Sequence, residues 1–103
     1  MRRIRILPRA ERDLDEIAAF IAQENLDAAL GLYETAQAEF DRLAVMPEIG
    51  ASRPSMHPRL ADLRMWPLPR FNKVLVFYES AESEVRIVRV LHSARDIPEL
   101  FNT

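Results

Sequence analysis

Apolar and polar positions change period along this chain, and each change marks an element. Arg3 to Leu7 alternates Ile4 and Ile6 with Arg3 and Arg5, the period of a half-buried strand. Pro8 follows where a helix can start, because its missing N–H costs nothing in a first turn. Ala10, Leu14, Ile17, Ala18 and Ile21 then recur at helical spacing, which predicts an amphipathic helix of roughly four turns with Asp13, Asp15 and Glu16 pointing outward. Asn25 is placed to cap a second helix, with Asp27 at its positive end and a buried stripe of Ala29, Leu32 or Tyr33, Ala36, Phe40 and Leu43. The short link from Glu24 to Leu26 makes the pair an antiparallel hairpin. Gly31 inside the second helix costs about 1 kcal/mol relative to Ala. Close approach of the first helix and a tolerated defect both account for it. Pro47 and Gly50 end the helix.

Beyond Gly50 the helical period is gone. Ala51 to Leu60, with Pro54 and Pro58, predicts a loop. Ala61 to Trp66 predicts a short strand, and Pro67 and Pro69 confine it to a sheet edge because proline cannot donate to a ladder. In Val74 to Tyr78 both alternating sets are apolar, so this strand is covered on both faces or lies at the centre of a sheet. Val85 to Leu91 forms a second apolar run across the polar ESAESE, a hairpin signal. Asp96, Pro98 and Glu99 resemble a capping box opening a short helix over Ile97 to Asn102, which would dock Leu100 and Phe101 on the sheet. The expected order is β-α-α-β-β-β with a short C-terminal helix. It is an α+β fold of two layers, a helical hairpin packed on a largely antiparallel sheet.

Length and charge sharpen this picture. At 103 residues the chain holds one domain, residues 1–103, with room for a core but not for two. Without cysteine there is no disulfide and no thiolate metal site, which is compatible with the cytoplasm. The opening MRRIRIL is interrupted by Arg5 and Pro8, too short for a signal-peptide core or a membrane span, so a cytoplasmic protein is expected. The net charge of −2 hides a segregation. From Glu11 to Glu48 the acids run Glu11, Asp13, Asp15, Glu16, Glu24, Asp27, Glu34, Glu39, Asp41 and Glu48 against Arg12 and Arg42 alone. From Ala51 to Tyr78, Arg53, Arg59, Arg64, Arg70 and Lys73 stand against Asp62. Solvated helical faces beside an ordinary basic sheet edge would produce this; so would a basic surface shaped to receive an acidic partner segment.

Candidate chemistry is sparse. With Gly31 and Gly50 as the only glycines there is no phosphate-gripping loop. His57 and His92 stand far apart and lack the spacing of a zinc pair, and no serine sits in a nucleophile elbow. No cofactor is implied.

The segment FYE, its acidic turn and VRIVRVLHSARDIPELF, together with PRAERDLDEIAAFIAQ and AVMPEIGASRP, resembles the ParE branch of the RelE/ParE toxin superfamily over nearly the whole chain. RVLHSARD, Arg89 to Asp96, is the most specific piece. The resemblance implies a toxin that inhibits DNA gyrase by protein contact, is neutralised by a ParD-like antitoxin in a hetero-oligomer, and reaches operator DNA only through that antitoxin. The alternatives are a RelE-like ribosome-dependent mRNA endoribonuclease and a non-toxic antitoxin-binding module. The nuclease branch uses lysines, arginines and a C-terminal tyrosine or histidine for acid, base and phosphorane charge. Here Trp66 and Leu68 stand where that branch has lysines, Leu75 where it has an arginine, and Phe101 in place of the tyrosine. Arg95 matches, but a phenyl ring transfers no proton, and an isoelectric point near 5.7 is poor for an RNA-rich target.

Two surfaces follow as candidates. An exposed edge strand with Met65, Trp66 and Leu68 beside Arg59, Arg64 and Arg70 is suited to an acidic antitoxin tail, by strand addition and aromatic-arginine composition. In the family resemblance toxicity is laid on the C-terminal part, here Ser93, Arg95, Asp96, Leu100 and Phe101. Those residues also serve as a charged turn, a cap and core filling.

Overall fold

The computed structural model describes residues 1–52, 62–93 and 96. Arg3–Ile6 forms β1, with Ile4 and Ile6 packed against the core and Arg3 and Arg5 exposed, as the alternation requires. Leu7 stays extended and Pro8 opens α1, Pro8–Ala22. Asn25 caps α2, Leu26–Val45, its side-chain oxygen accepting from the Ala28 N–H at 2.9 Å. Between Leu32 and Tyr33 the core takes Leu32, wholly buried, while Tyr33 is 40% exposed. Gly31 makes no close approach: a Cβ built there would meet nothing within 4 Å.

The strands β2 (Ala51–Ser52), β3 (Arg64–Leu68), β4 (Phe71–Ser80) and β5 (Glu84–His92) complete a five-stranded mixed sheet in the order β1-β5-β4-β3-β2. β1 runs parallel to β5 and the remaining pairs are antiparallel. Both helices lie on one face. β4 is the central strand, with Val74, Val76 and Tyr78 beneath the helices, which explains its apolar run.

The sheet corrects several expectations. Ala51–Ser52 is a strand, not the start of a loop, so the sheet has five strands where four were expected. β3 begins at Arg64 and runs through Pro67 to Leu68, and β2 pairs with Arg64 and Met65, so β3 is not the terminal strand. Pro67 is tolerated because it sits beside a register shift between β3 and β4, where the ladder is already interrupted. The expected terminal helix, Ile97 to Asn102, lies outside the described residues.

A second irregularity resolves an apparent fault in β5. Plain alternation from Val85 and Ile87 would carry Arg89 under the helices. A bulge pairs Phe77 with Arg89 and Tyr78 with Ile87, leaving Val88 as the extra residue. The phase shifts by one, and Val90 joins Val85 and Ile87 in the core.

α1 docks on that bulge through an acid. Asp13 is only 4% exposed, not outward as its charge suggested. β1 pairs with β5 only as far as Ile87, so the next outward peptide group needs an acceptor. Asp13 supplies it: Oδ2 accepts from the Val90 N–H at 3.1 Å and from Arg89 Nε at 2.6 Å, and Oδ1 from Arg89 Nη2 at 3.1 Å. Arg9 adds an ion pair at 3.4 Å.

Candidate interaction surfaces

β3 and its turn carry most of the basic-edge candidates, and the structure divides them. The Arg64 guanidinium donates to the carbonyls of Gly50 at 2.8 Å and Glu48 at 3.2 Å, tying the end of the helical layer to β3. Trp66 sits on the helix face, half-buried, and its indole donates to Glu39 Oε1 at 2.8 Å. Glu39 is 5% exposed and also pairs with Arg42 at 3.4 Å, so the indole and an arginine together satisfy a buried acid. Met65, half-buried, projects from the opposite face, paired with Phe77. Leu68 is 1% exposed and belongs to the core. Arg59 lies outside the described residues.

Arg70 is exposed at the tip of the β3–β4 turn with φ 69°, the only non-glycine residue in the left-handed region among the described residues. Pro69 before it and this positive φ match the pattern in which glycine ordinarily follows proline. An arginine held there carries roughly 1 kcal/mol of backbone strain that a glycine would not.

Beneath β3 a tyrosine anchors the helix–sheet junction. The buried Tyr78 hydroxyl donates to the Pro47 carbonyl at 2.8 Å and accepts from the Gly50 N–H at 2.9 Å. Burial pushes its pKa up, partly offset by the Gly50 N–H.

At the far end of β5 a compact turn closes the strand. The Asp96 N–H donates to the His92 carbonyl and the Asp96 carboxylate accepts from the His92 N–H, both at 2.8 Å. Ser93 N–H donates to the Lys73 carbonyl at 2.6 Å, and the Phe20 ring meets His92 edge-on at 5.7 Å. Asp96 thus binds the strand end, whatever follows it. Ser93 and Asp96 are both half-buried here; Arg95, Leu100 and Phe101 lie outside the described residues.

Chemically, these surfaces hold donors and acceptors already engaged with the fold. His92 has no acid or base partner at its enclosed Nδ1 among the described residues. Nor do any three histidines, aspartates or glutamates there converge on a metal-sized site. Where the nuclease branch has cations, Trp66 is bonded to Glu39, Leu68 is core and Leu75 is half-buried.

The family model described as the ParE toxin of the type II toxin-antitoxin system, parDE, matches residues 4–97. The chain belongs to the ParE toxin family. This ParE toxin also shares its fold with a solved structure titled "Chromosomal ParDE TA system from P. aeruginosa". The TM-score is 0.72 at 22% identity, over 89% of this chain and 96% of the other. No curated protein matches it. Among the described residues no helix is long and apolar enough to cross a membrane.

Sequence reasoning missed three structural clusters: Asp13 with Arg89, Glu39 with Trp66, and Tyr78 with Gly50. A signal for the first was present. Ala10, Asp13, Leu14 and Ile17 stand at i, i+3, i+4 and i+7, so Asp13 occupies a core-facing position by spacing and looked outward only by its charge.

Proposed function

We propose that this ParE toxin arrests growth in the cytoplasm by binding DNA gyrase and trapping its cleaved-DNA state through protein contact, with no chemistry of its own. A ParD-like antitoxin relieves it by forming a hetero-oligomer, and operator DNA is reached only through that antitoxin. The observation that carries this reading is the family match over residues 4–97, beside nuclease positions filled by Trp66, Leu68 and Leu75.

Gyrase contact is assigned to Ser93, Arg95, Asp96, Leu100 and Phe101. Because the Asp96 carboxylate supports the strand end, Arg95 is the residue that separates contact from scaffold. Arg95→Ala is expected to abolish growth arrest on regulated expression while leaving the melting temperature and antitoxin binding nearly unchanged, since an exposed charge contributes little to stability. Toxicity and melting temperature falling together would move the gyrase surface elsewhere.

Antitoxin contact along the β3 edge is assigned to Arg59, Arg64, Met65, Trp66 and Arg70, with an acidic segment as the complement. Arg70 offers the sharpest test. Arg70→Gly relieves the left-handed strain and is expected to raise stability by up to about 1 kcal/mol. If the arginine meets the antitoxin, the same change weakens the complex. Titration of purified toxin with antitoxin, alongside thermal melts, reads both; a stabilised toxin with unchanged affinity would remove Arg70 from the interface.

A further inference from the structure

The helical hairpin carries a groove that the β3 edge does not account for. It encloses about 270 Å³ and is floored by Ile6, Leu14, Ala36 and Phe40. Its rim is Glu11 and Asp15 on α1 and Tyr33 and Gln37 on α2. Toward the hairpin tip the apolar surface continues on α2 through Leu30 and Leu26, 60% and 63% exposed. Leu26, Leu30 and Tyr33 stand at i, i+4 and i+7, one stripe of the helix.

The banks of this groove are acidic and uncompensated. Asp15 accepts from the Tyr33 hydroxyl at 2.7 Å and Asp41 from the Gln37 amide at 3.1 Å. Neither these acids nor Glu11 forms an ion pair among the described residues, whereas the buried acids Asp13 and Glu39 both do. The Asp15 hydrogen bond, with burial, pushes the Tyr33 pKa up to about 12, in keeping with a negative environment.

We infer that this groove receives an amphipathic helical segment of the antitoxin that carries apolar residues toward Leu26, Leu30 and Tyr33 and lysine or arginine toward Glu11, Asp15 and Asp41. The inference rests on the antitoxin reading above and specifies the chemistry of a second contact. A third helix is the shape that fills a trough between two antiparallel helices. The charge excludes the acidic tail suited to the β3 edge, because like charges facing across an interface are repulsive. It also disfavours a second copy of this chain docking by its own helical face, which is acidic too. The neutralising partner therefore carries two segments of opposite charge, acidic along β3 and basic over the helices.

The test uses full-length toxin with its cognate antitoxin. Hydrogen exchange of the complex is expected to protect the groove-facing parts of α1 and α2. The double reversal Glu11→Lys with Asp41→Lys is expected to weaken the complex about tenfold or more at low salt. The melting temperature and growth arrest by the free toxin should stay as they were, because Glu11 and Asp41 are exposed and lie away from the C-terminal part. A complex that forms with the groove unprotected, or that tolerates the charge reversal, overturns this inference and leaves the antitoxin reading standing. Failure of the wild-type proteins to associate overturns both.

Discussion

Asp13→Ala is expected to lower the unfolding free energy by about 3 kcal/mol, the largest loss from any single side chain outside the apolar core. The carboxylate is 4% exposed, and its removal strands both the Val90 N–H and the Arg89 guanidinium. Arg89 keeps 26% of its side-chain surface in water, which moderates the penalty for the orphaned charge. The peptide N–H has no such relief. Asp13→Asn retains an acceptor for Val90 and should cost less. A double change, Asp13→Leu with Arg89→Met, should recover part of the loss, because two well-packed apolar groups leave no buried charge unpaired. Urea unfolding of the four proteins measures this; an Asp13→Ala midpoint close to wild type would mean that the bulge finds its acceptor elsewhere.

Gly50→Ala is expected to cost 2 kcal/mol or more, roughly the penalty of overpacking a tight site. A Cβ there would lie 2.4 Å from the Tyr78 hydroxyl, 2.7 Å from the ring and 2.9 Å from the Met65 carbonyl, and the backbone on the β3 side cannot yield. Tyr78→Phe alone should cost about 1 to 3 kcal/mol, since the Gly50 N–H and the Pro47 carbonyl lose their shared partner inside the core. The two changes interact. With the hydroxyl gone the worst contact goes too, so the double variant should be more stable than the summed losses imply. Strict additivity would mean that the hydroxyl and the glycine are not in contact. The raised Tyr78 pKa gives a further sign: the folded state favours the protonated phenol, so its contribution is complete below the ordinary tyrosine value of 10.0 and is lost as the pH rises beyond it.

The elements that could be read in the sequence are those with a clean period or a local cap. Ile4 and Ile6 announced β1, Asn25 announced α2, and the doubly apolar Val74 to Tyr78 announced the central strand. What escaped reading depends on contacts distant in sequence. β2 is two residues long and exists because Arg64 and Met65 offer it a ladder, which no local propensity reveals. The bulge at Val88 appears in the sequence only as an arginine out of phase. Charge misled twice, since Asp13 and Glu39 are buried by partners 76 and 27 residues away. At the candidate surfaces, Arg64 and Trp66 had the composition of a binding patch and also hold the helical layer to β3. Composition alone cannot tell those roles apart.

The proposal that this ParE toxin acts on gyrase by contact, without cutting RNA, is tested most directly with purified components. Gyrase, supercoiled plasmid and increasing toxin are incubated, stopped with detergent and protease, and run beside a parallel reaction of translating ribosomes and mRNA. Linear plasmid that accumulates with toxin and disappears when antitoxin is added, with the mRNA intact, is the predicted result. Cleaved mRNA on the ribosomes with no linear plasmid would contradict it.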